Sequence, residues 1–202
     1  AQAPRTMLVA TYREGDSPLY KALRAAYARP RKPTARERQE LEALARTWAP
    51  KLYRVYTDLV APAPIRPKTL VFVHFGISTL LLMLRLLDED EPIPAGFANN
   101  SRVNQSIQRS KYHMLNSKVK APSEWVHKAR GLENASENRI QLKDRFNNTA
   151  RNLRGEDIRV LLLDPYLYTE GISFFGVRQV CVVELPKSYS ELSQQLARAI
   201  RS

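Results

Sequence analysis

The stretch Thr69-Leu-Val-Phe-Val-His-Phe75, followed by Gly76 and by the apolar run Leu80 to Leu87, decides the fold class. An apolar run without polar alternation predicts a strand covered on both faces, the pattern of a parallel sheet. Gly76 turns the chain, Ser78 is placed to cap, and Leu80 to Leu87 predicts a strongly apolar helix. Strand, tight turn and helix form the first half of a βαβ unit. Downstream, Ile158 to Leu163 and Gln179 to Leu185 predict two more buried strands. Ser136 to Leu153 predicts a helix with Ile140, Phe146, Ala150 and Leu153 turned to the core, ended by Gly155. Strands alternating with helices predict α/β layers around a largely parallel sheet.

The last segment, Ser188 to Arg201, predicts a helix with two unlike faces. Ser188 and Glu191 have the spacing of a capping box. Leu192, Leu196 and Ile200 form an apolar stripe, and Gln194, Arg198 and Arg201 fall opposite it. Upstream of the first strand, Leu19 to Ala28 predicts a helix ended by Pro30 and Pro33. A second helix opens at Thr34 with Glu37 three positions on, again a capping box, and carries Leu41, Leu44, Ala45 and Trp48 inward. Pro50 interrupts it, and Leu52, Val55, Tyr56 and Leu59 continue the helical period. Residues 1–66 therefore form a helical lead-in whose arginines are expected on a solvated face, and residues 67–202 form the α/β part. Within the latter, about 92–130 is an irregular insertion rich in Asn, Ser, Lys and Arg, with Tyr112, His113 and Trp125 among them. Two readings of that insertion stay open: an ordinary solvated loop, or a basic and aromatic surface for nucleic acid.

The chain has 202 residues, 44% of them hydrophobic, enough for one domain or one and a half with a real core. A formal net charge of +12 makes nucleic acid the first partner class to consider. Cys181 is the only cysteine, expected as inert core, so no disulfide can form within the chain; this fits an intracellular, reducing compartment. No apolar run is long enough to span a bilayer and no secretory signal is present, so no membrane partner is expected. The chain begins at Ala1 and stops one residue after Arg201, as expected of a piece of something longer.

Ligands of parallel α/β sheets sit beyond the carboxyl ends of the strands. Here those ends are Phe75-Gly76, Pro165 to Ser173 and Leu185-Pro186. The sequence has neither a Gly-x-x-x-x-Gly-Lys-Ser/Thr loop nor a Gly-x-Gly-x-x-Gly fingerprint. His74, His113 and His127 lack the spacing of a metal site. Asp164 and Glu184 both end apolar strands and offer a weak acid/base pair; polar strand ends are common. What remains is rich in donors: Thr169, Gly171, Ser173, Gln194, Arg198 and Arg201. Such a set can hold phosphate but contains no nucleophile or general base. Planar guanidinium groups suit a transferring phosphoryl group, so this edge is expected to complete a site on another domain.

Three pieces in order carry a resemblance. Thr69 to Phe75 looks like motif IV of the superfamily 2 helicases and translocases. Arg145-Phe-Asn, Ile158 to Leu163 and Thr169-Glu-Gly-Ile-Ser173 look like the approach to motif V and the motif itself. Gln194-Gln-Leu-Ala-Arg-Ala-Ile-Arg201 looks like motif VI, usually Gln-x-x-Gly-Arg-x-x-Arg, with Ala197 where glycine is usual. The chain from Thr69 onward thus resembles the second, RecA-like lobe of these motors, in the form found in large DNA viruses such as poxvirus-type early transcription factor ATPases. The resemblance implies an intracellular location: a host cytoplasm, a virion of a large DNA virus, or a nucleus. It implies that Arg198 and Arg201 reach ATP and Mg held mainly by a first lobe, with Gln194 ordering that contact. Glu170, Gly171 and Ser173 would lie near the nucleotide. Thr169, His74 and Gly76 would lie on a DNA or RNA track. The Walker lysine and the Asp-Glu-x-x box of a first lobe are not in this sequence, so the chain by itself is expected not to hydrolyse ATP. A different class of function stays open: a non-catalytic basic module that binds nucleic acid in viral transcription or packaging.

Overall fold

The computed structural model describes residues 14–29, 31–92, 109–115, 139–165 and 173–199. Its centre is a four-stranded, wholly parallel sheet: β1 Thr69–Phe72, β2 Tyr112–Leu115, β3 Val160–Leu163 and β4 Gln179–Val182, in spatial order β2-β3-β1-β4. Leu70 pairs with Leu161 on one side and with Val180 on the other, so β1 has a neighbour along both edges. Alternate residues feed different layers. Val71, Val73, Val160 and Leu162 pack with the amino-terminal helices, whereas Leu70, Phe72, Leu161 and Leu163 pack with Leu142, Phe146 and Phe174. Both faces are covered, which is why β1 and β3 read as unbroken apolar runs.

β4 departs from expectation. Its predicted burial is not found: Gln179 is exposed and Val180 to Val182 are half-buried, because β4 is an outer strand. Cys181 accordingly lies half-buried at the sheet's edge, not deep in the core, with its thiol pushed up by burial. The other outer strand, β2, falls inside the insertion and was not predicted. Tyr112 and His113 are buried, so among the described residues these two are sheet, not an aromatic surface for nucleic acid. Four apolar or aromatic residues between polar flanks are too short a signal to separate from loop. Trp125 lies outside the described residues.

The lead-in packs as one body with the sheet. Helices α1 Pro18–Tyr27, α2 Ala35–Trp48 and α3 Pro50–Val60 share a core with α4, Ile77–Leu87. Ser17 caps α1, and Thr34 with Glu37 form both arms of the expected capping box on α2. Arg36 and Arg54 sit on the wet face in i,i+4 pairs with Glu40 and Asp58, which contribute little to stability. Trp48, expected inward, is half-exposed. Every residue of α4 is buried, as suits a helix apolar all round and held between sheet and lead-in. Its ends are closed by lead-in charges. Glu14 accepts from Thr79 N at 2.6 Å and Thr79 Oγ1 at 2.8 Å, and Lys32 Nζ donates to the carbonyls of Arg85 and Asp88 at 2.9 and 3.0 Å. An anion at the amino end and a cation at the carboxyl end both complement the helix dipole.

The single helix expected over 136–153 is two: α5 Arg139–Asn147 and α6 Thr149–Asn152. Asn148 breaks it, because its side chain accepts from Ala150 N and Arg151 N and starts α6 afresh. The inward face moves with the break. Leu142 and Phe146 are buried, while Ile140 and Leu153 are exposed at 64% and 42%.

Lys68, just before β1, is buried with Nζ donating to Phe146 O at 2.5 Å and Phe175 O at 2.7 Å. Desolvation lowers its pKa from 10.5 to about 8. Between those values the unfolded chain binds more protons than the folded one, so raising the pH favours folding. Urea-unfolding free energy is therefore expected to gain a component that rises across that window, and Lys68→Met should remove it.

Candidate functional site at the carboxyl edge of the sheet

Three strand ends meet as the edge argument requires. β1 runs into His74, β3 into Asp164 and β4 into Glu184. His74 Nδ1 lies 2.9 Å from Asp164 Oδ2; a carboxylate only accepts, so Nδ1 carries the hydrogen. Glu184 accepts from the backbone of His74 at 2.9 Å and of Phe75 at 3.2 Å. The two acids are thus not paired with each other. Each engages the end of β1 separately, and together they tie β3, β1 and β4 into one rim.

Gly76 adopts φ 77°, the left-handed region where a side chain is strained, and starts α4. Ser78 does not cap: its Oγ is buried without a partner among the described residues, and Glu14 serves instead. Ser173 is held from behind, its carbonyl accepting from Asn147 Nδ2 at 2.9 Å while Asn147 Oδ1 accepts from Phe175 N at 3.0 Å. Gly176, φ 70°, closes the turn; a Cβ there would meet Leu153 O at 2.7 Å. Asn147 lies in a segment that resembles a motif, but its clasp on this turn has no sequence signal beyond a polar residue ending a helix.

After β4 the chain enters α7, Tyr189–Ala199. Ser188 Oγ accepts from Glu191 N at 3.2 Å, as expected, whereas the Glu191 carboxylate accepts from Lys187 N, one residue earlier than a capping box would have it. The apolar stripe is only half covered at Leu192 and Leu196 and takes in Gln195, which is 9% exposed. Gln194 is exposed on the other side. The backbone of Arg198 belongs to α7, one helical turn beyond Gln194; its side chain, and all of Thr169, Glu170, Gly171 and Arg201, lie outside the described residues. The structure thus brings His74, Gly76 and the segment leading into α7 to the carboxyl ends of the strands, but not Ser173. Its turn is reached by Lys68 at the entry to β1 and leads into the start of β4, so it lies at the opposite, amino edge, contrary to expectation.

No family model, curated protein or solved structure matches the chain. Among the described residues no group of three or more His, Cys, Asp or Glu could hold a metal ion, and no helix is long and apolar enough to cross a membrane.

Proposed function

We propose that this chain is the C-terminal, RecA-like lobe of an ATP-dependent nucleic-acid helicase or translocase, acting with a first lobe that holds ATP and Mg. The reading rests on one observation above the rest: the segments that resemble motifs IV and VI leave adjacent parallel strands, β1 and β4, and Glu184 ties one to the other. A parallel sheet covered by helices on both faces supports it. So does the polar face of α7, where Gln194 is open to a neighbouring domain. In this role Gln194 and the guanidinium groups of Arg198 and Arg201 bind the triphosphate from the side opposite the first lobe and offset charge that develops on the transferring phosphoryl group. ATP itself supplies the phosphoryl group when bound. The His74–Gly76 turn and Thr169 face the nucleic acid. The net charge of +12 also favours the second reading, a basic module without turnover.

The proposal makes association with a cognate first lobe depend on nucleotide. Sedimentation of the mixed lobes is expected to show about tenfold or more tighter association with a non-hydrolysable ATP analogue and Mg, a coupling of ordinary size. Gln194→Ala should reduce that gain. Equal association with and without nucleotide contradicts the proposal and favours the binding module.

A further inference from the structure

Three exposed apolar side chains follow the ends of the paired strands β1 and β4 in the chain: Phe75 at 52% after β1, and Leu185 at 86% and Tyr189 at 84% after β4. Single exposed apolar residues need no explanation, but a succession along one edge marks a contact surface. The Phe75 ring is held in place. Its backbone N–H donates to Glu184, and its ring meets that of His74 edge to face at 4.6 Å between centroids and 69° between planes. His74 is itself fixed by Asp164. The result is an aromatic ring buttressed on one side and about half open, the form of a stacking platform rather than of a side chain awaiting a core.

The charges beside it select the occupant. Both rim acids are turned into the protein, Asp164 to His74 and Glu184 to backbone N–H groups. Lys187, between Leu185 and Tyr189, is exposed, as is Glu191, whose carboxylate accepts from the Lys187 backbone N–H, and the chain as a whole is strongly basic. Open aromatic rings interleaved with cationic groups suit a strand that offers unpaired bases and phosphates together. We infer that Phe75 and Tyr189 stack bases of single-stranded nucleic acid along this rim. The inference rests on the nucleic-acid reading above and adds to it the form of the strand and the atoms it meets. A duplex keeps its bases stacked on each other and gains nothing from these rings.

The test is fluorescence anisotropy of the 202-residue chain with a labelled oligodeoxyadenylate of about 12 nucleotides and with a duplex of equal length. Phe75→Ala and Tyr189→Ala are each expected to weaken single-strand binding by about fivefold or more while leaving duplex binding unchanged. Phe75→Trp should restore it, and Ile65→Ala, exposed at 73% away from the rim, should change neither. Circular dichroism of each variant checks folding, which substitutions at exposed positions should preserve. Salt-sensitive binding that neither alanine variant alters overturns the stacking inference and leaves the nucleic-acid reading in place. Equal weakening on both probes also overturns it. No binding by the unaltered chain overturns both. Variants that change self-association or binding of a first lobe, but not of oligonucleotide, reassign the rim to a protein partner and overturn the inference.

Discussion

Alanine at Arg198 is expected to lower ATP turnover of the chain recombined with its first lobe by about a thousandfold or more, the usual weight of an arginine finger. The loss should appear in kcat, because the guanidinium meets charge that grows only as the phosphoryl group transfers. Nucleic-acid binding by the variant should stay within about twofold of the parent, since Arg198 lies at the far end of α7 from Tyr189 and on a different element from the His74 turn. Arg198→Lys should recover little, as a lysine keeps the charge but not the planar fork. Steady-state turnover with saturating oligonucleotide reads all three. A variant that turns over normally ends the finger assignment. The Ala197 methyl, where glycine is usual in the resembled motif, offers a graded companion: Ala197→Gly should leave turnover within a fewfold.

The largest loss of stability is expected at Asn152. This side chain is fully buried and satisfies four backbone groups. Its Nδ2 donates to Phe146 O at 3.0 Å and Ile158 O at 3.1 Å, and its Oδ1 accepts from Asp157 N and Ile158 N, each at 2.9 Å. It is the tie between α5 and the entry to β3. Alanine leaves those groups buried without their partner, and each orphan costs about 1–3 kcal/mol. Carbonyls with a second donor soften the sum, as at Phe146 O, which Lys68 also reaches. A destabilisation of about 3 kcal/mol or more is expected in urea unfolding. Asn152→Asp keeps the acceptor oxygen but sets a second acceptor against Phe146 O and Ile158 O in a buried site, and should destabilise at least as much.

The layered architecture was legible because β1 and β3 lie inside the sheet. Burial on both faces requires apolar residues at every position, and that pattern is written without gaps in Leu70 to Val73 and Val160 to Leu163. The two outer strands were harder for the converse reason. β4 was placed but taken as buried, since Val180-Cys-Val182 looks the same whether one edge is open or not. β2 is hidden among polar residues, and its tyrosine is buried because Asp88 and Arg159 satisfy the hydroxyl, a long-range fact that no local pattern carries. The helix before β3 was read at the wrong register because Asn148 can continue a helix or start a new one, and its capping bonds decide the matter only in three dimensions. At the rim, the sequence located His74, Asp164 and Glu184 as strand ends. That Glu184 grips the backbone of β1 instead of facing Asp164 follows from β4 lying beside β1, which the chain order does not state.

The measurement that bears most directly on the motor reading is ATP hydrolysis by three samples: this chain, a cognate first lobe, and the two together, each with and without oligonucleotide. The account predicts negligible turnover by the chain alone, weak turnover by the first lobe, and fast turnover stimulated by oligonucleotide only in the mixture. A first lobe that hydrolyses ATP at one rate whether or not the chain is present would contradict it.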